Sequence, residues 1–445
     1  MDHAGIAKKT AGAETKNAER HPRSGFPGMR IPFTPFTPFT VLAAFLCVVG
    51  LYAFSAVTGG EQTGVPADSV LSEFPQTGKK AENPEDGGKL IFTFPGAIPE
   101  APLPPLSASA AVLYCPETGS VLCGKNENER RPMASTTKIM TAVVVLENRS
   151  LTDTVCVDAR AVGTEGSSAY LSAGEKASVE TLLYALLLNS ANDAAAALAY
   201  DTAGSIEAFA AMMNEKAAAL GLNDTHFVNP SGLPDEEHYT TAYDLARLAA
   251  YALENEEFAR IVGTERVTFE SEGGAVRLFV NHNKLLRFRD DVIGVKTGFT
   301  KSSGRCLVGA ARRGELTLIA VTLDAPDDWN DHCALFDSGF SVLRGEKAAE
   351  NGEFVFDVPV VGSSAKQSVR CRAYGEAAAI LPSDAVGIES STELPRFLYA
   401  PVCSGDAVGR IVFSVGDAEI GRLEIFAEED AEGPDRKSGP FSFLK

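Results

Sequence analysis

The chain has 445 residues and a formal net charge of −19, and 45% of its residues are hydrophobic. This length leaves room for about two or three domains, and the hydrophobic fraction is sufficient for a packed core. The negative charge argues against nucleic acid and anionic lipid as general partners of the surface.

The N-terminal part contains a basic tail, residues 1–40, followed by an uncharged apolar segment, residues 41–57. Positive charge ahead of an apolar segment predicts that the tail stays in the cytoplasm and the rest is exported. The segment is short for a membrane span and long for a signal-peptide core, so both interpretations stay open. We favour a retained anchor, because the tail after Ile425 is acidic and shows no amphipathic helix. The expected location is the extracytoplasmic face of the cell membrane, or outside the cell if the leader is cleaved.

Residues 58–106 are rich in proline, glycine and glutamate, and only Leu90–Phe94 interrupts this composition. Such a composition is typical of a flexible spacer. We therefore expect a linker between the apolar segment and the first folded domain.

Ser135-Thr-Thr-Lys138 stands directly before an apolar run, residues 139–146, which predicts a buried helix that begins at the serine. Side chains three residues apart on a helix share a face, so the hydroxyl and the amine can form a hydrogen bond. Burial and the positive end of the helix dipole disfavour an ammonium, which makes the lysine a usable base. The alternative is a capping serine followed by a surface lysine. A second such pair, Ser363 and Lys366, lies in a polar stretch with no helix after it and is interpreted as a chance match.

Ser190-Ala-Asn192 interrupts two apolar helical segments. A polar break between buried helices needs hydrogen-bond partners, so we expect Ser190 and Asn192 to face a cleft. In the alternative interpretation, Asn192 or Asp193 caps the following helix.

Lys296-Thr297-Gly298 lies in a β-branched run, residues 292–299, that predicts a strand bordering a site. The glycine allows another backbone to approach closely. Two further strands, residues 305–311 and 316–323 with a turn at 313–314, predict an antiparallel meander.

These three motifs, in this order, resemble the D-alanyl-D-alanine carboxypeptidases among the low-molecular-mass penicillin-binding proteins. The resemblance runs from about Ala108 to Phe340 and includes residues 131–141, 166–175 and 227–233. It implies an α+β fold, in which a β-lactamase/transpeptidase-like domain, an antiparallel sheet flanked by helices plus an all-helical lobe, precedes a small β-rich domain. The expected divisions are the tail (1–40), the anchor or signal segment (41–57), the linker (58–106), the catalytic domain (107–345), the β-rich domain (352–426) and a disordered tail (427–445).

The resemblance also implies roles for these residues. Ser135 would attack the carbonyl between two D-alanines, Lys138 would take its proton, and Ser190 would pass a proton to the leaving D-alanine. The substrate would be held by Asn192, Lys296, Thr297, Gly298 and Phe299, with the backbone N–H groups of Ser135 and Phe299 forming the oxyanion hole. The expected partners are peptidoglycan stem peptides ending in D-Ala-D-Ala, β-lactam antibiotics and, through the N-terminal segment, the membrane. No nucleic acid, metal or cofactor is expected.

The sequence departs from the family pattern in two places. Some members have histidine where this chain has Phe299, and some have arginine in the loop after the meander, where this chain has residues 327–332. The group that supplements carboxylate binding is therefore open. His332 is one candidate, although a lone histidine is more often structural.

Two other functions remain as alternatives. A β-lactamase needs a carboxylate that activates the deacylating water, and Glu236 and Glu237 lie in a suitable interval, although their sequence setting matches the carboxypeptidase pattern. A non-catalytic penicillin sensor or wall-binding scaffold would be acylated but would turn over slowly.

The chain has eight cysteines. Cys115 and Cys123 flank a predicted hairpin in which Cys115 pairs with Ser120, so the two thiols lie apart and we expect no bond between them. Cys371 and Cys403 are the expected pair, if any forms.

Overall fold

The computed structural model describes residues 88–270 and 276–433. The basic tail and the apolar segment 41–57 lie outside the described residues. Within the described ranges, none of the helices has the length and apolar character needed to cross a bilayer. The α-helices of these ranges are α1 (Lys138–Asn148), α2 (Val179–Leu187), α3 (Asn192–Ala203), α4 (Ile206–Ala219), α5 (Ala242–Leu253), α6 (Glu256–Val262) and α7 (Asp328–Val342).

The strands of the described residues form three larger sheets and two small two-stranded sheets, β4-β5 and β6-β7. In chain order they are β1 (Lys89–Thr93), β2 (Ala110–Cys115), β3 (Ser120–Lys125), β4 (Thr154–Cys156), β5 (Lys176–Ser178), β6 (Arg266–Glu270), β7 (Val276–Val280), β8 (Val292–Thr300), β9 (Gly304–Arg313), β10 (Leu316–Leu323), β11 (Leu343–Ala349), β12 (Val355–Val361), β13 (Ser368–Ala373), β14 (Glu376–Pro382), β15 (Ile388–Glu393), β16 (Leu398–Tyr399), β17 (Ala407–Val415) and β18 (Ala418–Ala427).

The central sheet has five antiparallel strands in the order β3-β2-β10-β9-β8. The predicted meander is confirmed, and β8 is an edge strand. Successive residues of a strand point to opposite faces. On β9, Leu307 accordingly packs with Phe336 of α7, whereas Val308 packs with the helices of the other face. The sheet is therefore covered on both sides, as the predicted α+β fold requires.

The helical lobe consists of α1 to α6 and packs on the sheet through one large apolar core. Its helix starts follow local rules: Ser205 accepts a hydrogen bond from the N–H of Ala208, and Thr241 accepts one from Asp244. α1 lies in the middle of the lobe, with residues 138–145 buried.

The C-terminal part contains a six-stranded sheet, β15-β17-β18-β13-β12-β16, and a three-stranded sheet, β1-β14-β11. The structure differs here from the expected linker, because β1 pairs with β14 in parallel. The apolar residues that interrupt the linker composition, Leu90–Phe94, thus largely belong to a strand of this sheet. The first residues of the expected disordered tail are structured, since Ala427 belongs to β18 and Ala431 pairs with Val402. Residues 434–445 of that tail lie outside the described residues.

The cysteine expectations have different outcomes. Cys115 and Cys123 are unbonded as predicted, and Cys115 lies opposite Ser120 in the β2–β3 hairpin. The expected bond between Cys371 and Cys403 is wrong, since both are free thiols. Cys371 points into the core of its sheet whereas Cys403 is exposed, so their side chains do not meet.

Candidate active site

Ser135 lies on a single 3-10 turn, Ala134–Thr137, and Lys138 is the first residue of α1. The turn therefore directly precedes the helix, close to the predicted start. Nζ of Lys138 is 2.9 Å from Oγ of Ser135, 2.7 Å from Oδ1 of Asn192 and 2.6 Å from the carbonyl oxygen of Ser231. The first and second motifs thus meet at one amine.

Lys138 is fully buried and has no carboxylate among these three neighbours. Burial, together with the nearby charge of Lys296, holds the pKa of Lys138 well below its usual value, and Asp193 opposes this shift. A neutral amine has two N–H donors and one lone pair. The two carbonyl-type oxygens, of Asn192 and Ser231, take the donors, which leaves the lone pair for the hydroxyl of Ser135.

Ser190 and Asn192 lie at the junction of α2 and α3, as the sequence predicted. Ser190 has a positive φ of 57° and faces a cleft. Asn192 is buried: Oδ1 accepts from Lys138, and Nδ2 donates to the carbonyl of Glu165. Asn192 therefore holds the lysine in this structure, rather than presenting a free amide to a substrate.

Asp193 is a functional-site residue that sequence reasoning considered only as a helix cap. Its carboxylate accepts hydrogen bonds from the hydroxyl of Ser168 at 2.7 Å and from the N–H groups of Ala169 and Leu171 at 2.9 and 3.1 Å. These bonds fix the loop that contains Ser167, which lines the cleft. The sequence marked residues 166–175 as part of the resemblance, but it did not indicate that Asp193 binds this loop.

The turn Asn229–Leu233, which is part of a block that carries the resemblance, supplies a hydrogen-bond acceptor to the site. Oδ1 of Asn229 accepts from the N–H groups of Ser231 and Gly232 at 3.1 and 2.8 Å, which fixes the turn. The carbonyl of Ser231 then points at Lys138. The sequence marks this turn, but not which carbonyl it presents.

His238 supports the turn that carries the nucleophile, and the sequence analysis missed it. Its Nδ1 accepts from the N–H of Val228 at 3.0 Å, and its Nε2 lies 2.7 Å from Oγ1 of Thr137. Thr137 in turn donates to the carbonyl of Ala134 at 2.8 Å. Burial lowers the pKa of His238 to about 4, so the ring is neutral and Nε2 carries its proton.

The third motif lies on the edge strand β8, next to the Ser135 turn. Lys296 is only 1% exposed, and its Nζ donates to the carbonyl of Thr297 at 2.8 Å. Burial lowers its pKa to about 7. Gly298 lies so close to the turn that a Cβ atom there would be 3.0 Å from the backbone nitrogen of Ser135. Glycine at this position therefore lets the strand approach the nucleophile.

An open cleft of about 470 Å³ lies over these elements. Several predicted site residues line it, namely Ser135, Ser190, Thr297, Gly298 and Phe299. Lys138, Asn192 and Lys296 are buried at the site. Arg305, Asp328 and Trp329, which the sequence analysis did not assign, also line the cleft.

His332 does not take the role considered for it. It is fully buried, its Nε2 lies 3.1 Å from Oγ1 of Thr322, and burial lowers its pKa to about 3. It packs edge-on against Phe336 inside the core. The reason is its position on α7, which turns this side chain toward the sheet.

The second Ser-x-x-Lys pair has a different environment from the first. Oγ of Ser363 accepts from the backbone N–H of Lys366, and the amine of Lys366 forms an ion pair with Glu429. Both residues lie between β12 and β13, and neither lines the cleft described above. The amine of Lys366 is therefore held by a carboxylate and not by the hydroxyl of Ser363.

Comparisons with known proteins place the motifs in a family context. Residues 97–327 match the family model described as D-alanyl-D-alanine carboxypeptidase. The D-alanyl-D-alanine carboxypeptidase DacF of Bacillus subtilis is 32% identical over 349 residues, which is 76% of this chain and 88% of that protein. DacC of Escherichia coli is 33% identical over 74% of this chain and 85% of its own length. The crystal structure of penicillin binding protein 5 from Haemophilus influenzae is similar with a TM-score of 0.54 at 27% identity, covering 74% of this chain and 98% of that one.

Proposed function

Because the chain belongs to the D-alanyl-D-alanine carboxypeptidase family, and is thus a serine-type peptidase, we propose that it removes the terminal D-alanine from peptidoglycan stem pentapeptides. One observation carries the proposal. The amine of Lys138 is buried, bound by two carbonyl-type oxygens and 2.9 Å from the hydroxyl of Ser135. This arrangement is that of a neutral base beside its nucleophile.

In the acylation step, Oγ of Ser135 attacks the carbonyl carbon between the two D-alanines, and its proton passes to Nζ of Lys138. The backbone N–H groups of Ser135 and Phe299 stabilise the negative oxygen that forms. Each such donor contributes about 3 kcal/mol to lowering the barrier. Ser190 then donates its hydroxyl proton to the leaving nitrogen and takes in exchange the proton held by Lys138. The C–N bond breaks, free D-alanine departs, and Lys138 is neutral again.

In the deacylation step, Lys138 takes a proton from water as the water oxygen attacks the ester carbonyl. The bond to Oγ of Ser135 then breaks, and Lys138 returns the proton to this oxygen. The edge strand β8 supports this chemistry, because an extended peptide can lie along an unpaired strand edge. The terminal carboxylate of the substrate binds next to Thr297 and Lys296. Asn192 keeps Lys138 in place through its Oδ1 atom. β-Lactams acylate the same serine.

The β-lactamase alternative is less well supported. Glu236 and Glu237 are both exposed, and neither lines the described cleft. Among the described residues that line it, Asp328 is the one carboxylate, and Arg305 binds it at 2.7 Å. A water-activating carboxylate next to Ser135 is therefore not found among these described lining residues.

Single-turnover kinetics of the full-length chain test the function. An acetylated L-Lys-D-Ala-D-Ala peptide and penicillin are the two probes, with released D-alanine and the acyl-enzyme mass as readouts. Rapid release of D-alanine with slow penicillin hydrolysis supports the carboxypeptidase. Rapid penicillin hydrolysis would instead establish a β-lactamase, and lasting acylation by both probes would establish a sensor or scaffold.

We also propose that residues 41–57 anchor the protein so that the catalytic domain, residues 107–345, and the β-rich domain, residues 352–426, lie on the extracytoplasmic face of the membrane. The basic tail ahead of an apolar segment supports this orientation. Mass spectrometry of the mature N-terminus decides between a retained anchor and a cleaved leader.

A further inference from the structure

Arg305 is the notable unassigned residue of the cleft. It lies on β9 directly opposite Phe299 of β8. Residues opposite each other in an antiparallel pair present their side chains on the same face, and so do residues two apart on one strand. Arg305, Phe299 and Thr297 therefore share one face at the edge of the sheet, and all three line the cleft.

The guanidinium of Arg305 is held at one end and open at the other. Its Nη2 atom donates to Oδ1 of Asp328 at 2.7 Å, and its Cζ atom lies 5.4 Å from the ring centroid of Trp329. The Asp328 side chain is 3% exposed, whereas that of Arg305 is 41% exposed. A guanidinium has five N–H donors, so most of them remain after the bond to Asp328. The Nε atom is buried without a partner.

The third motif itself is a weak source of positive charge. Lys296 is almost fully buried, and its amine is bonded to the carbonyl of Thr297. Burial brings the pKa of Lys296 to about 7, so it is only partly charged near neutral pH. An arginine stays charged throughout this range and matches the geometry of a carboxylate.

We infer that Arg305, positioned by Asp328 and Trp329, binds the terminal carboxylate of the substrate together with Thr297. This inference rests on the proposed function and names the residue that recognises the free C-terminus. Asp328 and Trp329 are the first two residues of α7, so the segment after the meander, expected to be a loop, is helical from Asp328 onward. Some family members have an arginine of their own in this segment, whereas here it holds an arginine from the neighbouring strand β9.

Arg287 is the main competitor, since it also lines the cleft. It lies on the 3-10 turn Lys284–Arg287, and its Nε atom is 4.0 Å from Glu265. Arg313 provides a matched control at the other end of β9, where it forms an ion pair with Asp291 and stacks on Phe340. It does not line the described cleft.

The test compares an acetylated L-Lys-D-Ala-D-Ala peptide with the same peptide ending in a carboxamide. We expect Arg305→Gln to reduce kcat/KM for the free acid about 10- to 100-fold, because a charge-assisted hydrogen bond is lost. Hydrolysis of the carboxamide should fall much less, because its neutral amide never forms the charge-assisted bond, and this remaining activity also shows that the variant is folded. Arg305→Lys should retain part of the preference for the acid, and Arg313→Gln should retain all of it.

The outcomes separate the two proposals. A wild-type protein that releases D-alanine from neither peptide contradicts the proposed function. If the wild type is active and Arg305→Gln keeps the full preference for the free acid, the role of Arg305 is wrong and the function stands. Loss of that preference in Arg287→Gln, but not in Arg305→Gln, assigns the carboxylate to Arg287 and also overturns the inference.

Discussion

Gly232 lies against Ala134 so closely that a Cβ atom on the glycine would be 1.9 Å from the carbonyl oxygen of Ala134. The φ angle of Gly232 is +82°, and that of Ala134 is +47°. The same carbonyl accepts the hydroxyl of Thr137. The carbonyl of Ala134 is therefore fixed by Gly232 from outside the turn and by Thr137 from within it.

Gly232→Ala should slow the acylation of Ser135 by penicillin about 100-fold or more, because a shift of about 1 Å at the reacting atoms has that effect. Gly163→Ala is the matched control. Gly163 has a similar φ of +75°, but a Cβ atom there would meet no other atom within 4 Å, so this variant tests the backbone strain alone. Equal acylation rates for the two variants would show that the contact with Ala134 is unimportant.

His238→Phe should destabilise the protein by about 1–3 kcal/mol, because the N–H of Val228 and the hydroxyl of Thr137 each lose a buried partner. Acylation should slow as well, since Thr137 then holds Ala134 less firmly. Denaturant unfolding and stopped-flow acylation measure the two effects. His226→Phe is the control, because His226 is less buried and its Nδ1 atom bonds to the carbonyl of Glu237, away from the turn that carries Ser135. If His238→Phe is acylated at the wild-type rate, His238 does not help to position Ser135.

Ser135→Ala should abolish covalent labelling by a fluorescent penicillin, since no hydroxyl remains to be acylated. Ser363→Ala should label like the wild type, because the neighbouring Lys366 is paired with Glu429. Gel fluorescence after denaturation distinguishes the two. The reverse pattern would overturn the assignment of the motif.

The acylation rate should rise with pH, and the midpoint of this rise should lie well below the usual pKa of a lysine. Lys138 is a base only when neutral, and burial lowers its pKa, so the active form is present at lower pH than for an exposed lysine. Lys138→Arg, which keeps a permanent charge, should lose about 10²–10⁴ in rate. Lys176→Arg, at an exposed position, should follow the wild-type profile. An acylation limb centred near the value of a free lysine would contradict the buried base.

Lys296→Met should change how stability depends on pH. Burial lowers the pKa of Lys296 in the folded chain to about 7, against 10.5 when unfolded. Between these values the unfolded chain binds the proton and the folded chain does not, so the free energy of unfolding of the wild type rises with pH. Relative to the variant, the free energy of unfolding of the wild type should rise by up to about 1.4 kcal/mol per pH unit between pH 7 and 10.5 and should level off above that range.

Urea titrations of the wild type and Lys296→Met at several pH values from 7 to 10 measure this difference. Lys301→Met, at an exposed position of the turn after β8, should run parallel to the wild type. Parallel curves for Lys296→Met as well would mean that the lysine keeps an ordinary pKa in the folded protein.

Local patterns predicted much of the fold. The β-branched runs with a turn at Gly314 defined the meander of β8, β9 and β10, and the apolar run after Lys138 indicated the buried helix α1. These features depend on residues that are neighbours in the sequence. β1 was missed for the opposite reason, because a five-residue apolar stretch becomes a strand only where a partner such as β14 is available.

The sequence alone determined which residues can carry the chemistry, because a serine and a lysine three positions apart at the start of a helix must share a face. Only the tertiary structure decided what surrounds them. The carbonyl of Ser231 and the ring of His238 reach the first motif from 93 and 101 residues away, and Arg305 reaches the cleft through a cross-strand pair. No local periodicity encodes such contacts, since they arise when separate elements bury their apolar faces against one another.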